Sequence, residues 1–177
     1  MARVRRSLAR ARDERGFGMV ELLVAMTVMA IGILALFAMF QSAVLQITRA
    51  STTSTAAALA DSEMEGYRAI KYEAIGLDEA DIALADGTYT SDSAYQTNPA
   101  DRVALAACGS SPCTTSVPTL VVTGADNRDY RVDTYISVQN VTNGRDVVLV
   151  TVVVRDQQDT SKVWARVASS FDESTGL

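Results

Sequence analysis

The fold is decided by residues 16–40, which read GFGMVELLVAMTVMAIGILALFAMF. From Leu22 to Phe40 no residue is charged, and these 19 residues would extend about 28 Å as a helix at ~1.5 Å per residue. That length is close to the hydrocarbon thickness of a bilayer, so it predicts a membrane-spanning helix. Residues 1–16 contain six Arg, and positive charge ahead of a span keeps the amino terminus in the cytoplasm and sends the remainder outward.

An ordinary secretory signal is the alternative interpretation of this stretch. Such signals have shorter apolar cores and end in a small-residue cleavage site of the Ala-x-Ala kind. The nearest candidate here is Gln-Ser-Ala at residues 41–43, which does not fit that pattern. We therefore expect the apolar helix to stay on the protein.

One acidic residue, Glu21, lies at the start of the apolar run. A lone charge at the centre of a bilayer costs about 2.5–3.5 kcal/mol, and less near the interface. Glu21 could reach the headgroups from the helix end. Alternatively, cleavage between Gly16 and Phe17 would create a free amine four residues, or one helical turn, before Glu21. The amine and the carboxylate could then neutralise one another, within one chain or between neighbouring chains.

The run GFGMVELLVA at residues 16–25 resembles the type III (prepilin) signal of type IV pilins and type II secretion pseudopilins. That signal is a short basic leader ending in Gly, then Phe, then Glu as the fifth residue of an apolar helix. The run continuing to residue 36 looks most like the PilV and GspI type of minor pilins and minor pseudopilins. It departs from the pattern at Gly18 and Met19, where Thr and Leu are common. The first helix contains no Pro, which favours a minor over a major subunit.

The resemblance implies a filament subunit that is made as a membrane-inserted precursor. A prepilin peptidase would cut after Gly16, removing the leader 1–16, and would methylate the new amine of Phe17. Glu21 would pair with the Phe17 amine of a neighbour as the subunit leaves the cytoplasmic membrane for a pilus or pseudopilus. The implied partners are other pilin or pseudopilin subunits, membrane lipid, the peptidase and, indirectly, an assembly platform and a motor ATPase.

Composition excludes several classes of function. The chain has no His, which excludes Ser–His–Asp and Cys–His catalysis and His metal sites. It has only two Cys, too few for a thiolate zinc cage, and no phosphate-binding Gly-x-x-x-x-Gly-Lys-Ser/Thr run. Residues 17–177 carry a net charge of −9, so direct nucleic-acid binding is not expected. We expect a non-enzymatic protein with no cofactor and no metal.

Two other functions are weighed against a filament subunit. A membrane-tethered extracytoplasmic enzyme or ligand-binding domain would keep an uncleaved anchor, but no catalytic constellation is recognisable. The other function is DNA uptake, since some pseudopili serve competence. The pair Arg128 and Arg131 gives direct DNA contact only weak support. Pilus, secretion and competence machines share the same amino-terminal chemistry, so the sequence does not distinguish among them.

The apolar period beyond the span predicts that the helix continues to about Ile75. Its apolar face comprises Ala56, Leu59, Ala60, Tyr67, Ile70 and Ala74. Glu63 falls within this stripe and is expected to be a partly buried carboxylate at the domain edge. The polar run 51–55 could fray or kink the helix. We thus divide the chain into a leader 1–16, a long helix 17–76 with its membrane or filament-core half at 17–40, and a head 77–177.

The last sixty residues alternate as β-strands rich in Val, Thr, Tyr and Ile. Strands are predicted at Thr119–Thr123, Tyr130–Gln139, Val147–Arg155 and Val163–Ser170. Asn143-Gly144 and Gln157–Ser161 predict the turns. The run Val147–Val154 should be a central strand, and Trp164 should pack in the core. The expected fold is α+β, with a long helix packed on a four-stranded antiparallel sheet, the ladle shape of pilins.

Residues 76–118 are the least informative part. A short helix is expected near Asp78–Leu84, and the acidic loop 78–86 could bind Ca²⁺, although a solvated acidic surface is the simpler interpretation. Cys108 and Cys113 are separated by four residues within the segment Cys-Gly-Ser-Ser-Pro-Cys, in a part of the chain predicted to be outside the cytoplasm. They are therefore expected to form a disulfide.

Overall fold

A computed structural model describes residues 18–105, 117–139 and 145–173. The predicted sites Gly16, Phe17, Cys108 and Cys113 and the predicted turn Asn143-Gly144 lie outside the described residues. The chain divides into two compact units, one ending at Gln46 and the other beginning at Ile47. Each is described by itself.

The first unit is the amino-terminal part of a helix, α1, which runs Met19–Arg68. All its described side chains are exposed, and they are mostly Leu, Ala, Met, Val and Ile. Thr27, the one hydroxyl between Leu22 and Phe40, donates to the carbonyl oxygen of Leu23 at 2.8 Å and so satisfies its polar group within the helix. Among the described residues, α1 is the one helix long and apolar enough to cross a membrane, with a mean hydropathy of 2.6 over its best window.

The carboxy-terminal part of α1 belongs to the second unit, and one narrow face of the helix packs in the core of that unit. Ala56, Ala60, Met64 and Tyr67 are buried there at helical spacing. Ala56 and Ala60 are small and let the helix axis approach the sheet closely. Further along the helix the buried positions are taken by the larger Met64 and Tyr67. The run 51–55 is helical, with the Thr52 hydroxyl bonded to the carbonyl oxygen of Thr48 at 2.9 Å.

The helix ends earlier than the sequence predicted, at Arg68 rather than near Ile75. A 3₁₀ turn at Tyr72–Ala74 follows it. Ile75 and Leu77 are both buried, and the backbone N–H of Leu77 donates to the carbonyl oxygen of Val103 at 3.1 Å. Burial of these two side chains and this backbone pairing replace the extra helical turns that the local pattern favoured.

The predicted four-stranded antiparallel sheet is confirmed, each strand lying within one residue of its expected bounds. Its strands in spatial order are β3 (Thr119–Thr123), β4 (Asp129–Gln139), β5 (Val147–Asp156) and β6 (Val163–Phe171). β4 and β5 are central, as expected for the apolar run in β5. A register shift between Val154 and Arg155 marks a bulge in the pairing of β5 with β6. The α+β fold class is therefore correct.

The main core lies between α1 and one face of the sheet. Its sheet side consists of alternate residues of β4 and β5, namely Tyr130, Val132, Ile136, Val148, Val150, Val152 and Val154. Trp164, expected in the core, is half-buried at its margin and has the Lys162 ammonium 4.0 Å from its ring centroid. Glu63 is half-buried as predicted, and burial raises the pKa of its carboxyl.

Part of the segment between α1 and β3 covers the opposite face of the sheet, which the sequence did not predict, while Leu77 and Ile82 of the same segment belong to the main core. The segment between α1 and β3 forms β1 (Leu77–Asp78), α2 (Glu79–Ala83), α3 (Gly87–Thr90), a 3₁₀ turn at Pro99–Asp101 and β2 (Ala104–Leu105), which pairs in parallel with β1. The short helix α2 agrees with the helix expected near Asp78–Leu84. Tyr89 stacks on Tyr135 with ring centroids 4.4 Å apart, joining α3 to the second face of β4.

Candidate functional site

The first candidate site is the beginning of α1, where Glu21 lies in the first turn. The carbonyl oxygen of Gly18 accepts hydrogen bonds from the backbone N–H groups of Glu21 at 2.9 Å and Leu22 at 3.1 Å, so Gly18 starts the helical ladder. A carboxylate in the first turn is favoured by the partial positive charge of the helix amino terminus, by about 0.3–1 kcal/mol when exposed. Glu21 is exposed. It is the one predicted assembly residue that the structure describes.

The surface around Glu21 is the second element of this site. Large apolar side chains from Met19 to Ile47 are all more than two-fifths exposed, and Phe40 is 74% exposed. Burying one such side chain fully contributes about 1.5–3 kcal/mol. The helix therefore gains tens of kcal/mol from any apolar surroundings, far more than the ~2.5–3.5 kcal/mol cost of carrying one charge into them. This part of α1 is therefore more stable in apolar surroundings than in water.

A second group of polar residues lies on the second face of the sheet, and sequence reasoning missed most of it. Asp133 is fully buried at its centre. One carboxylate oxygen accepts from Arg131 Nε at 2.8 Å and from the Thr119 hydroxyl at 2.9 Å, and the other accepts from Arg155 Nε at 3.0 Å. Arg131 and Arg155 are register partners on β4 and β5, so the carboxylate bridges two neighbouring strands.

Each arginine of this group also holds a carboxylate from the covering segment. Arg131 forms two hydrogen bonds with Asp86, one of them 2.7 Å from Nη2 to Oδ1. Arg155 pairs with Asp92, whose side chain is only 3% exposed, and Arg166 pairs with Asp92 at 2.7 Å. We call these six residues, Asp86, Asp92, Arg131, Asp133, Arg155 and Arg166, the strap network.

The pKa values reflect this pairing. Hydrogen bonding to Arg131 lowers the pKa of Asp86 to about 2. Burial alone would raise the pKa of Asp92, but hydrogen bonds from Arg166 and the backbone of Ala94 and the charges of Arg166 and Arg155 hold it below its usual range. These ion pairs fasten the segment 86–92 to the sheet. The sequence did carry a signal for this network. Charged residues occupy alternate positions of β4, at Arg131 and Asp133, and Arg155 lies in the neighbouring strand.

The acidic loop 78–86 does not form a cation site among the described residues, and no cluster of metal-ligating side chains occurs in that part of the chain. Asp78 caps α2 by accepting from the backbone N–H of Ala80 at 2.8 Å. Asp86 caps α3 in the same way and binds Arg131. These carboxylates serve helix ends and an arginine and do not converge on one point.

The basic pair Arg128 and Arg131, singled out for DNA contact, is divided by the structure. The Arg131 side chain is buried and its charge is matched by Asp86 and Asp133. Arg128 is partly exposed and lies 3.4 Å from Asp156. The two side chains therefore do not present a shared cationic surface.

A membrane-length apolar helix with an acidic residue in its first turn, followed by an α+β unit, defines the pilin-like class of layout. Residues 11–37 match the family model described as the prokaryotic N-terminal methylation motif. This match supports a prepilin signal of the type IV pilin kind and spans the predicted Gly16, Phe17 and Glu21. No curated protein and no solved structure matches the chain.

Proposed function

We propose that the protein is a minor pilin or pseudopilin, a structural subunit of a type IV pilus or pseudopilus. The observation that carries the proposal is Glu21 in the first turn of α1, as the one charge in the fully exposed stretch 19–46 and within a matched N-terminal methylation motif. The residue run 20–36 resembles that of the PilV and GspI type of minor pilins and pseudopilins. The head, residues 77–177, lies outside the cytoplasm while the subunit is in the membrane.

In this proposal a prepilin peptidase cuts after Gly16 and methylates the amine of Phe17. In the membrane the helix is surrounded by lipid, with Glu21 near the interface. On assembly it leaves lipid for a bundle of like helices, and Glu21 pairs with the Phe17 amine of a neighbouring subunit. Two charges that are costly to bury singly become less costly together, and their pairing sets how far one helix slides along the next.

The same proposal includes a disulfide between Cys108 and Cys113 in the exported head. The assembly platform and motor ATPase are indirect partners of the subunit. The functional divisions are the leader 1–16, the segment 17–76 that contains α1, and the head 77–177.

The first test is the intact mass and amino-terminal sequence of the protein from native membranes, alkylated without reductant. We expect a chain that begins at N-methylated Phe17 and takes up no alkyl group at Cys108 or Cys113. A chain that begins at Met1 or Ala2, in cells with an active prepilin peptidase, would overturn the proposal and leave a membrane-tethered domain with an uncleaved anchor. Alkylated cysteines would remove only the disulfide.

The second test replaces Glu21. Glu21→Ala and the uncharged isostere Glu21→Gln should be inserted and processed as wild type but recovered with other subunits at least about tenfold less, because an unpaired amine costs ~2.5–3.5 kcal/mol and each ~1.4 kcal/mol is tenfold. Thr27→Ala is the matched control, since its hydroxyl bonds only within its own helix. Normal incorporation of Glu21→Gln would refute the charge pairing.

A further inference from the structure

The head sheet ends at β3 on one side and at β6 on the other, and the β3 edge is open. β3 is the end strand in the order β3-β4-β5-β6, and among the described residues no strand pairs with its outer side. Its five residues, Thr-Leu-Val-Val-Thr, include no charge and no Pro, the usual means by which edge strands avoid further pairing. Leu120 and Val121 are about half exposed.

The register shows which backbone groups face outward. The N–H of Thr134 donates to the carbonyl oxygen of Pro118, and the N–H of Gly124 donates to that of Arg128, both at 2.8 Å. Hydrogen-bonded pairs alternate along an antiparallel ladder, so residues 118, 120, 122 and 124 bond inward to β4. The N–H and carbonyl groups of Thr119, Val121 and Thr123 therefore point away from the sheet, where an added strand would bind them.

A depression of about 300 Å³ adjoins the beginning of this edge. Leu84, Val117 and Pro118 form apolar walls, and Thr119 belongs to the strand itself. Leu84 is 84% exposed and Val117 is 43% exposed, so the walls of the depression offer apolar surface to a bound side chain. The depression lies on the same face of the sheet as Arg131, which also lines it.

The charges around the depression favour a cation. Asp86 and Arg131 form two hydrogen bonds with each other, so their charges are already paired. Asp81 also lines the depression, half-buried, and contributes a carboxylate that Arg131 does not neutralise. A Lys or Arg side chain suits these surroundings, because its aliphatic stem would cover Leu84 and Val117 while its charged end reaches Asp81.

We propose that the β3 edge and this depression together bind an extended segment of a partner protein that carries a Lys or Arg side chain. The segment adds a strand to the sheet through Thr119, Val121 and Thr123, and its basic side chain enters the depression. The backbone bonds supply affinity and Asp81 supplies selectivity. This surface does not depend on cleavage at Gly16, so the two proposals stand or fail separately.

The experiment uses the full chain in detergent micelles and fluorescent peptides of sequence Thr-Val-Thr-Lys-Thr-Val-Thr, with a second peptide in which Gln replaces Lys. Anisotropy should show that the Lys peptide binds about threefold to fivefold more tightly, the range of a partly exposed ion pair. Asp81→Asn should abolish this preference. Asp61→Asn, the same change at an exposed position on α1, should preserve it.

The backbone arm of the test uses Val121→Pro, which removes an outward N–H without breaking a bond to β4. Binding of both peptides should weaken at least about tenfold, since several ladder bonds of ~1 kcal/mol are displaced. Val121→Thr, which keeps the N–H, should bind as wild type. If Val121→Pro does not fold, the wild-type chain with peptides N-methylated at alternate residues tests the same bonds.

Three outcomes would overturn the proposal. One is no binding of either peptide at about 1 mM, the weak limit of specific recognition. Another is binding that does not depend on one of the two contacts, shown either by a Lys preference that survives Asp81→Asn or by unchanged binding of the N-methylated peptide. The third is a concentration-dependent dimer that Val121→Pro abolishes while no peptide binds, which would assign the edge to a second copy of the chain.

Discussion

The strap network makes a sharp prediction about the stability of the head. Asp133 is fully buried and accepts hydrogen bonds from Arg131, Arg155 and Thr119. Asp133→Asn keeps the shape but replaces one carboxylate oxygen with an NH₂ group, which then faces the N–H of an arginine. Removing one partner of a buried ion pair costs about 3–5 kcal/mol. Because each arginine keeps a second carboxylate, Asp86 or Asp92, we expect the lower end, about 3 kcal/mol.

The assay is thermal and urea unfolding of the full chain in micelles, followed by the fluorescence of Trp164, the only Trp. A loss of about 3 kcal/mol lowers the midpoint temperature by roughly 10 °C for a unit of this size. Asp129→Asn is the control on the same strand, because Asp129 is exposed and accepts only the Thr123 hydroxyl at 2.7 Å. It should cost less than about 0.5–1 kcal/mol. Equal losses in the two variants would refute the view that the network fastens the covering segment.

Two further predictions concern the same unit. Gly124→Ala would bring a Cβ within 2.7 Å of Thr55 and Tyr130 and should lower the unfolding free energy by about 1–3 kcal/mol. The control is Gly87→Ala, which has open space around it and should change the unfolding free energy by less than about 0.5 kcal/mol. Urea unfolding that gives the larger loss to Gly87→Ala would contradict this packing. The folded pKa of Asp86, about 2, lies below its ordinary 3.8, so its stabilising effect is present above pH 4 and is lost as pH falls toward 2. Asp86→Asn should flatten the wild-type decline in melting temperature over that window, and an identical decline in both proteins would exclude the ion pair.

The amino-terminal features could be predicted because they are local. An uncharged run of membrane length, a basic leader and one carboxylate at a set spacing depend on no distant residue. The strands of the sheet were predictable for a similar reason, since alternation and β-branched residues act within each strand. The match to the methylation motif covers this same local region and little else.

The helix end could not be predicted from the local pattern. Apolar residues continue at helical spacing to Ala74, so the period alone extends α1 past Arg68. What ends the helix is the burial of Ile75 and Leu77, and the partner of Leu77 is Val103, twenty-six residues further along the chain. Such a contact forms only once the segment has folded across the sheet.

The sequence by itself determined the membrane-length helix, the position of Glu21 and the antiparallel α+β architecture, because periodicity and charge spacing along the chain are sufficient for each. Only the tertiary structure decided the rest. It showed that the second sheet face is covered, that Asp86 and Asp92 meet Arg131 and Arg155 across more than forty residues of chain, and that β3 keeps an open edge. A charge in a sequence has no partner until the chain folds, and an edge strand is distinguished from a central one only by its neighbours in space.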